Sequence, residues 1–101
     1  MRKQTTLSIQ IDNKYKETLS KLDDSVLKIL VRGLLLNGIE NTNNIALEDL
    51  KQLGSKESFS LKISIQEEEA AKLNLICPLI NNRSLISSNL INKGLFNLYK
   101  F

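Results

Sequence analysis

The chain has 101 residues, 42% of them hydrophobic and 25% charged, with a formal net charge of +3 and a pI near 9.1. This is the balance of a globular protein whose size suits one shared core better than two independent ones, and its mild basicity permits a nucleic-acid partner without requiring one. A single cysteine, Cys77, rules out an internal disulfide, and with no histidine the usual zinc and nucleophile-base sets lack their residues.

The chain opens on Met1, Arg2 and Lys3, but Gln4, Thr5 and Thr6 stand where a signal peptide needs its apolar stretch. The longest apolar run, Ile29 to Val31 and Leu34 to Leu36, is broken by Arg32 and Gly33, far short of the roughly 20 residues of a membrane span. A cytoplasmic location and no membrane partner are expected.

Thr6 to Asp12 reads TLSIQID, with Leu7, Ile9 and Ile11 on one face and Thr6, Ser8 and Gln10 on the other, the period of a strand. Asp12 or Asn13 can cap a short helix whose Tyr15, Leu19 and Leu22 form one stripe at a 3.6-residue period. A second helix is expected from Asp24 or Ser25 through Leu27, Leu30, Val31, Leu34 and Leu35, ending at Asn37 and Gly38 as a left-handed cap. It is apolar nearly all round, so it should be central. Residues 41–58 read as a linker in which Asn44 caps a short helix from Ile45 to Leu53.

The pattern then returns. Ser60 to Gln66 reads SLKISIQ, with Leu61, Ile63 and Ile65 inward, extended by Phe59, and Ser60, Lys62 and Ser64 outward. Position 61 follows 7, 63 follows 9 and 65 follows 11, each by 54 residues, so the strands repeat in register. Glu67, Glu68 and Glu69 suit the positive end of a helix dipole, Ala70, Leu73 and Ile76 or Cys77 supply the inward stripe, and Pro78 ends the helix. Cys77 then reads as a small buried hydrophobe. A last helix is expected from Asn82, Arg83 or Ser84 through Leu85, Ile86, Leu90, Ile91, Leu95, Phe96 and Tyr99.

The ordered set of alternating strand, short amphipathic helix and longer apolar helix, occurring twice, resembles the ribbon-helix-helix family of MetJ, Arc and CopG type. The likeness rests on Thr6 to Asp12 in the first copy and on Ser60 to Gln66 with Asn82 to Ile86 in the second. It implies an α+β, mostly helical fold: two tandem ribbon-helix-helix units at 1–40 and 59–101, sharing an antiparallel two-stranded ribbon and one helical core. Such tandem fusions resemble plasmid or archaeal-virus transcriptional regulators, which makes the expected compartment the cytoplasm of a prokaryotic or virus-infected host cell.

In that family the ribbon enters the DNA major groove and its outward side chains meet base edges. Carried over, the base readers are Thr6, Ser8, Gln10, Ser60, Lys62 and Ser64, since Gln suits adenine, Lys suits guanine and Ser or Thr suits either. The start of the family's second helix meets a phosphate, which picks Arg83 and Ser84 in the second copy and Ser25 in the first. The first copy departs from the pattern, because Asp23 and Asp24 precede Ser25 and would repel a phosphate. Arg2, Lys3, Lys14 and Lys16 gather around the first strand and are further phosphate candidates, or else a solvated face.

The implied protein is a sequence-specific double-stranded DNA-binding regulator, a repressor that occludes promoter sequence, self-associating as a dimer or higher on DNA. No cofactor, metal, catalysis or small-molecule substrate is implied. The alternative is an antitoxin or adaptor in which one unit binds DNA and the other a protein partner. Pairing of the two strands within one chain is expected, since the linker supplies the partner strand at high local concentration. Glu67 to Glu69 should then face Lys14 and Lys16.

Overall fold

The computed structural model describes residues 3–99. Its element order is strand, helix, helix, repeated once: β1 (Gln4–Asp12), α1 (Lys16–Ser20), α2 (Asp24–Asn41), β2 (Ser58–Gln66), α3 (Glu67–Ile76) and α4 (Arg83–Leu98). The fold is α+β and mostly helical, with one two-stranded sheet. No helix among the described residues is long and apolar enough to cross a membrane.

β1 pairs with β2 antiparallel within the chain, with Leu7 opposite Ile63, Ile9 opposite Leu61 and Ser8 opposite Lys62. Because Leu61 and Ile63 repeat Leu7 and Ile9 in sequence, exchanging the strands maps these pairs onto one another. A local two-fold axis therefore passes between Ser8 and Lys62. A two-stranded ribbon is marginal alone in water, so its apolar face must be covered. Leu7, Ile9, Ile11, Ile63 and Ile65 pack in one cluster with Val31, Leu35 and Ile39 of α2, Leu73 and Ile76 of α3, and Ile86, Ile91 and Leu95 of α4. The Cα radius of gyration of 13.0 Å is that of a compact chain of about 100 residues.

The short elements obey their local signals. Asp12 accepts the Lys14 N–H at the start of a 3-10 turn, Asn13–Tyr15, that leads into α1, and Tyr15 and Leu19 are buried. Asn82 caps α4 by accepting the Leu85 N–H. α3 stops at Ile76, two residues before Pro78, and Cys77 is buried as a hydrophobe.

Two expected boundaries are corrected. α2 does not end at Asn37 and Gly38 but runs to Asn41, and no described glycine has positive φ. The extra turn buries Ile39, and Gly38 serves a close approach: an added Cβ would lie 3.2 Å from the Leu90 Cβ of α4. Gly94 of α4 stands in the same relation to Leu34, where an added Cβ would meet Cδ2 at 3.2 Å. Leu90 follows Leu34, and Gly94 follows Gly38, each by 56 residues, so the crossing is a leucine of each helix set over the other's glycine. Of the helix expected over Ile45 to Leu53, only one 3-10 turn forms, Leu47–Asp49. The linker's polar groups bond elsewhere: the Ile45 N–H to the Ile76 carbonyl, and Lys51 to Asn89.

The glycines make a paired prediction. Around Gly33, on the outer side of α2, nothing lies within 4 Å of an added Cβ. Gly33→Ala should raise stability by about 1 kcal/mol through helix propensity. Gly38→Val should lower it by about 1–3 kcal/mol, since the branched side chain must displace Leu90. Thermal denaturation of both variants beside the parent checks the contrast.

Candidate nucleic-acid interface

With Leu7, Ile9 and Ile11 turned into the core, the strand period turns Thr6, Ser8 and Gln10 outward, and β2 does the same with Ser60, Lys62 and Ser64. All six expected base readers thus lie on one face. The side chains are organised across the ribbon: Thr6 Oγ1 and Ser64 Oγ are 3.1 Å apart, and Gln10 donates its amide to Ser60 Oγ at 3.0 Å. The Gln10 carbonyl oxygen accepts from Ser58 Oγ at 2.9 Å, so Gln10 is braced on both sides. Ser8 and Lys62 sit opposite each other at the centre, both exposed.

The ribbon's edges are closed by polar residues of the long helices. Ser84, Ser88 and Asn92, one stripe of α4, accept the outward N–H groups of Ser8, Gln10 and Asp12 at 3.2, 3.0 and 2.9 Å. Asn92 also donates to the Gln10 carbonyl at 2.8 Å. On the other edge Arg32 of α2 donates Nε to the Ser64 carbonyl at 3.0 Å. The unpaired backbone of an edge strand invites further strand pairing, and these contacts occupy part of it. They leave the outward face as the free surface of the ribbon. Ser88, Asn92, Ser58 and Arg32 were not singled out from sequence. The four-residue spacing of Ser84, Ser88 and Asn92 is legible there, yet its use depends on knowing that α4 crosses β1.

The expected phosphate ligands divide. Ser84 stands beside the ribbon, and a hydroxyl that accepts from Ser8 can still donate. Arg83 is engaged by Glu67, with Nη1 2.9 and 3.2 Å from the two carboxylate oxygens. Thr5 also donates to Glu67, and these two hydrogen bonds, Thr5 first and Arg83 second, hold the Glu67 carboxyl below its ordinary pKa. Ser25 is exposed in the first turn of α2, next to Asp24, which pairs with Lys28 at 3.4 Å. Arg2 lies outside the described residues.

The basic residues around β1 are not one cluster. Lys3 stands at its start, beside Glu67, whose N–H bonds to the Lys3 carbonyl. Lys14 and Lys16 follow its far end, and a nine-residue strand separates them by roughly 30 Å. Glu67 to Glu69 accordingly do not face Lys14 and Lys16. The antiparallel register sets the start of α3 against the start of β1, away from Lys14 and Lys16. Glu67 pairs with Arg83 and Glu69 with Lys72, both within the second copy, while Lys14 lies over the rings of Tyr15 and Phe96 at 5.3 and 5.7 Å.

The linker borders the same face. A cleft of about 350 Å³ is lined by Ser8, Gln10 and Ser60 of the ribbon, Ser84 of α4, and Lys51 and Gln52 of the linker. Asn89 fixes this segment by accepting the Lys51 N–H at 2.8 Å and donating to its carbonyl at 3.0 Å. Compared with protein-family models, curated proteins and solved structures, the chain matches none.

Proposed function

We propose that this chain is a sequence-specific double-stranded DNA-binding protein that regulates transcription, built as two ribbon-helix-helix units whose shared ribbon reads the major groove. The observation that carries this reading is the outward face of the ribbon: six polar or basic side chains in two rows, on a backbone braced at both edges. Strands about 5 Å apart, with their side chains, suit a major groove about 12 Å wide. Gln10, Lys62 and the hydroxyls offer donors and acceptors to base edges, while an apolar docking surface would need the opposite composition. The local two-fold relates Gln10 to Ser64 and Ser8 to Lys62, so the two halves of the ribbon carry different readers, and the site read by one chain is not a palindrome. Lys3 at one end of the ribbon and Lys14 and Lys16 at the other would reach the flanking phosphates. Occlusion of a promoter by such a complex gives repression.

An electrophoretic mobility assay against fragments of the native locus tests this. A discrete shift that survives competitor DNA is expected; a smear that competitor removes would overturn sequence-specific reading.

Arg83 is assigned to a phosphate, for which it must exchange Glu67 as acceptor. Arg83→Ala should therefore weaken binding to all sequences alike and flatten the dependence of log affinity on log salt by about one unit. Glu67→Gln, which removes the competing charge, should tighten binding to all sequences. A changed sequence preference at constant salt slope would make Arg83 a base reader instead. Affinity unchanged in both variants would confine Arg83 to the ion pair.

A further inference from the structure

We infer that the outer face of α2 is a self-association surface on which a second copy of this chain packs, antiparallel, with Ile29 of each copy set over Gly33 of the other. α2 turns Val31, Leu35 and Ile39 into the core, yet Ile29 and Val26 are 65% and 45% exposed, and Gly33 opens onto free space. Ile29 and Gly33 are four residues apart, as are Leu34 and Gly38, and Leu90 and Gly94. The last two sets form the crossing between α2 and α4, each leucine over the other helix's glycine. The outer face of α2 thus carries a second copy of the unit with which this helix already packs, and that unit is complementary to itself under a two-fold axis.

The local symmetry of the chain sharpens the point. The offset that carries Leu34 to Leu90 carries Ile29 to Leu85 and Gly33 to Asn89. On α4 that face is covered: Asn89 holds Lys51, and Leu85 is half-buried beside the linker. Among the described residues no segment covers the matching face of α2, where Ile29 is exposed and nothing lies near Gly33. Setting Ile29 over the twin's Gly33 brings Asn37 level with the twin's Ser25, and Glu40 level with the turn that carries its exposed Lys21. An amide meets a hydroxyl, and a carboxylate meets an ammonium. Two apolar side chains and a glycine bury far less than the roughly 1,200 Å² of a stable complex, so the association is weak and needs high protein concentration or a shared template. The contact does not depend on what the ribbon binds.

Sedimentation velocity without DNA, from micromolar to millimolar protein, tests the inference. The parent should shift from monomer toward dimer as concentration rises. Ile29→Asp should raise the dissociation constant about tenfold or more, with an unchanged melting midpoint, because it sets an unpaired charge against the twin. Gly33→Ala should melt higher than the parent and yet associate less, since its methyl meets nothing in the monomer and fills the hollow that receives Ile29. A parent that stays monomeric throughout would overturn the inference, as would association that both variants leave untouched.

Discussion

Ile63→Ser is expected to unfold the protein, or to leave it so near its midpoint at room temperature that no cooperative melt remains. Ile63 is 2% exposed, sits opposite Leu7 on the inward face, and belongs to the one cluster that joins the ribbon to the helices. Truncating a buried isoleucine costs about 2–5 kcal/mol, and an unpaired buried hydroxyl adds about 1–3 kcal/mol. A domain of this size has only about 5–15 kcal/mol in total. The apolar face is the ribbon's main support, because a two-stranded sheet depends on the face that the mutation spoils. Ile9→Ser, at 0% exposure on the other strand, should behave alike. Lys62→Ser, one residue away on the outward face, should melt within a few degrees of the parent. Circular dichroism melts of the three variants decide it: an Ile63→Ser protein that melts cooperatively near the parent would mean that the faces of the ribbon are misassigned.

That contrast rests on what the sequence makes legible. Alternation in Thr6 to Asp12 and Ser60 to Gln66 decides which side chains turn inward, and their common register marks them as partners. Pro78 and Asn82 bound α3 and α4 through chemistry confined to a few residues. What escaped depends on residues far apart in the chain. Gly38 after an apolar helical run has the form of a cap, and only the arrival of Leu90 explains why the helix continues through it. The segment Ile45 to Leu53 has a helical period, but apart from one 3-10 turn, in which Asp49 and Leu50 donate to the Ala46 and Leu47 carbonyls, its hydrogen bonds go to Ile76 and Asn89. The pairing of Arg83 with Glu67 brings together the first residues of α3 and α4, 16 positions apart, and depends on how those two helices pack. Local signals thus set the strands and most helix ends, while long-range packing decided the end of α2, the course of the linker and the partner of Arg83.

The outward face lends itself to the complementary experiment, and there the expected effect is on recognition. Lys62→Ala should cost about 1–3 kcal/mol of specific binding, roughly tenfold to a hundredfold in affinity, as expected when a contact to a base edge is lost. Its side chain is exposed at the centre of the ribbon opposite Ser8, so the melting midpoint should not move. Gln10→Ala should cost about as much in binding, by a different route. Its amide is held between Ser58 and Ser60, so a side chain fixed in place on the outward face is removed, and the neighbouring hydroxyls lose their brace. A small fall in melting temperature should accompany that variant alone. Gln10 and Lys62 lie on opposite strands, Lys62 at the local two-fold and Gln10 two residues along from it, so each should read a different base pair, and the double variant should lose more than either single one. Competition titrations with single-base variants of the bound fragment would reveal this: each substitution should flatten preference at its own position only. If both variants discriminate between fragments as the parent does, the ribbon is not the reading surface, and the specificity of the protein must lie elsewhere on the chain.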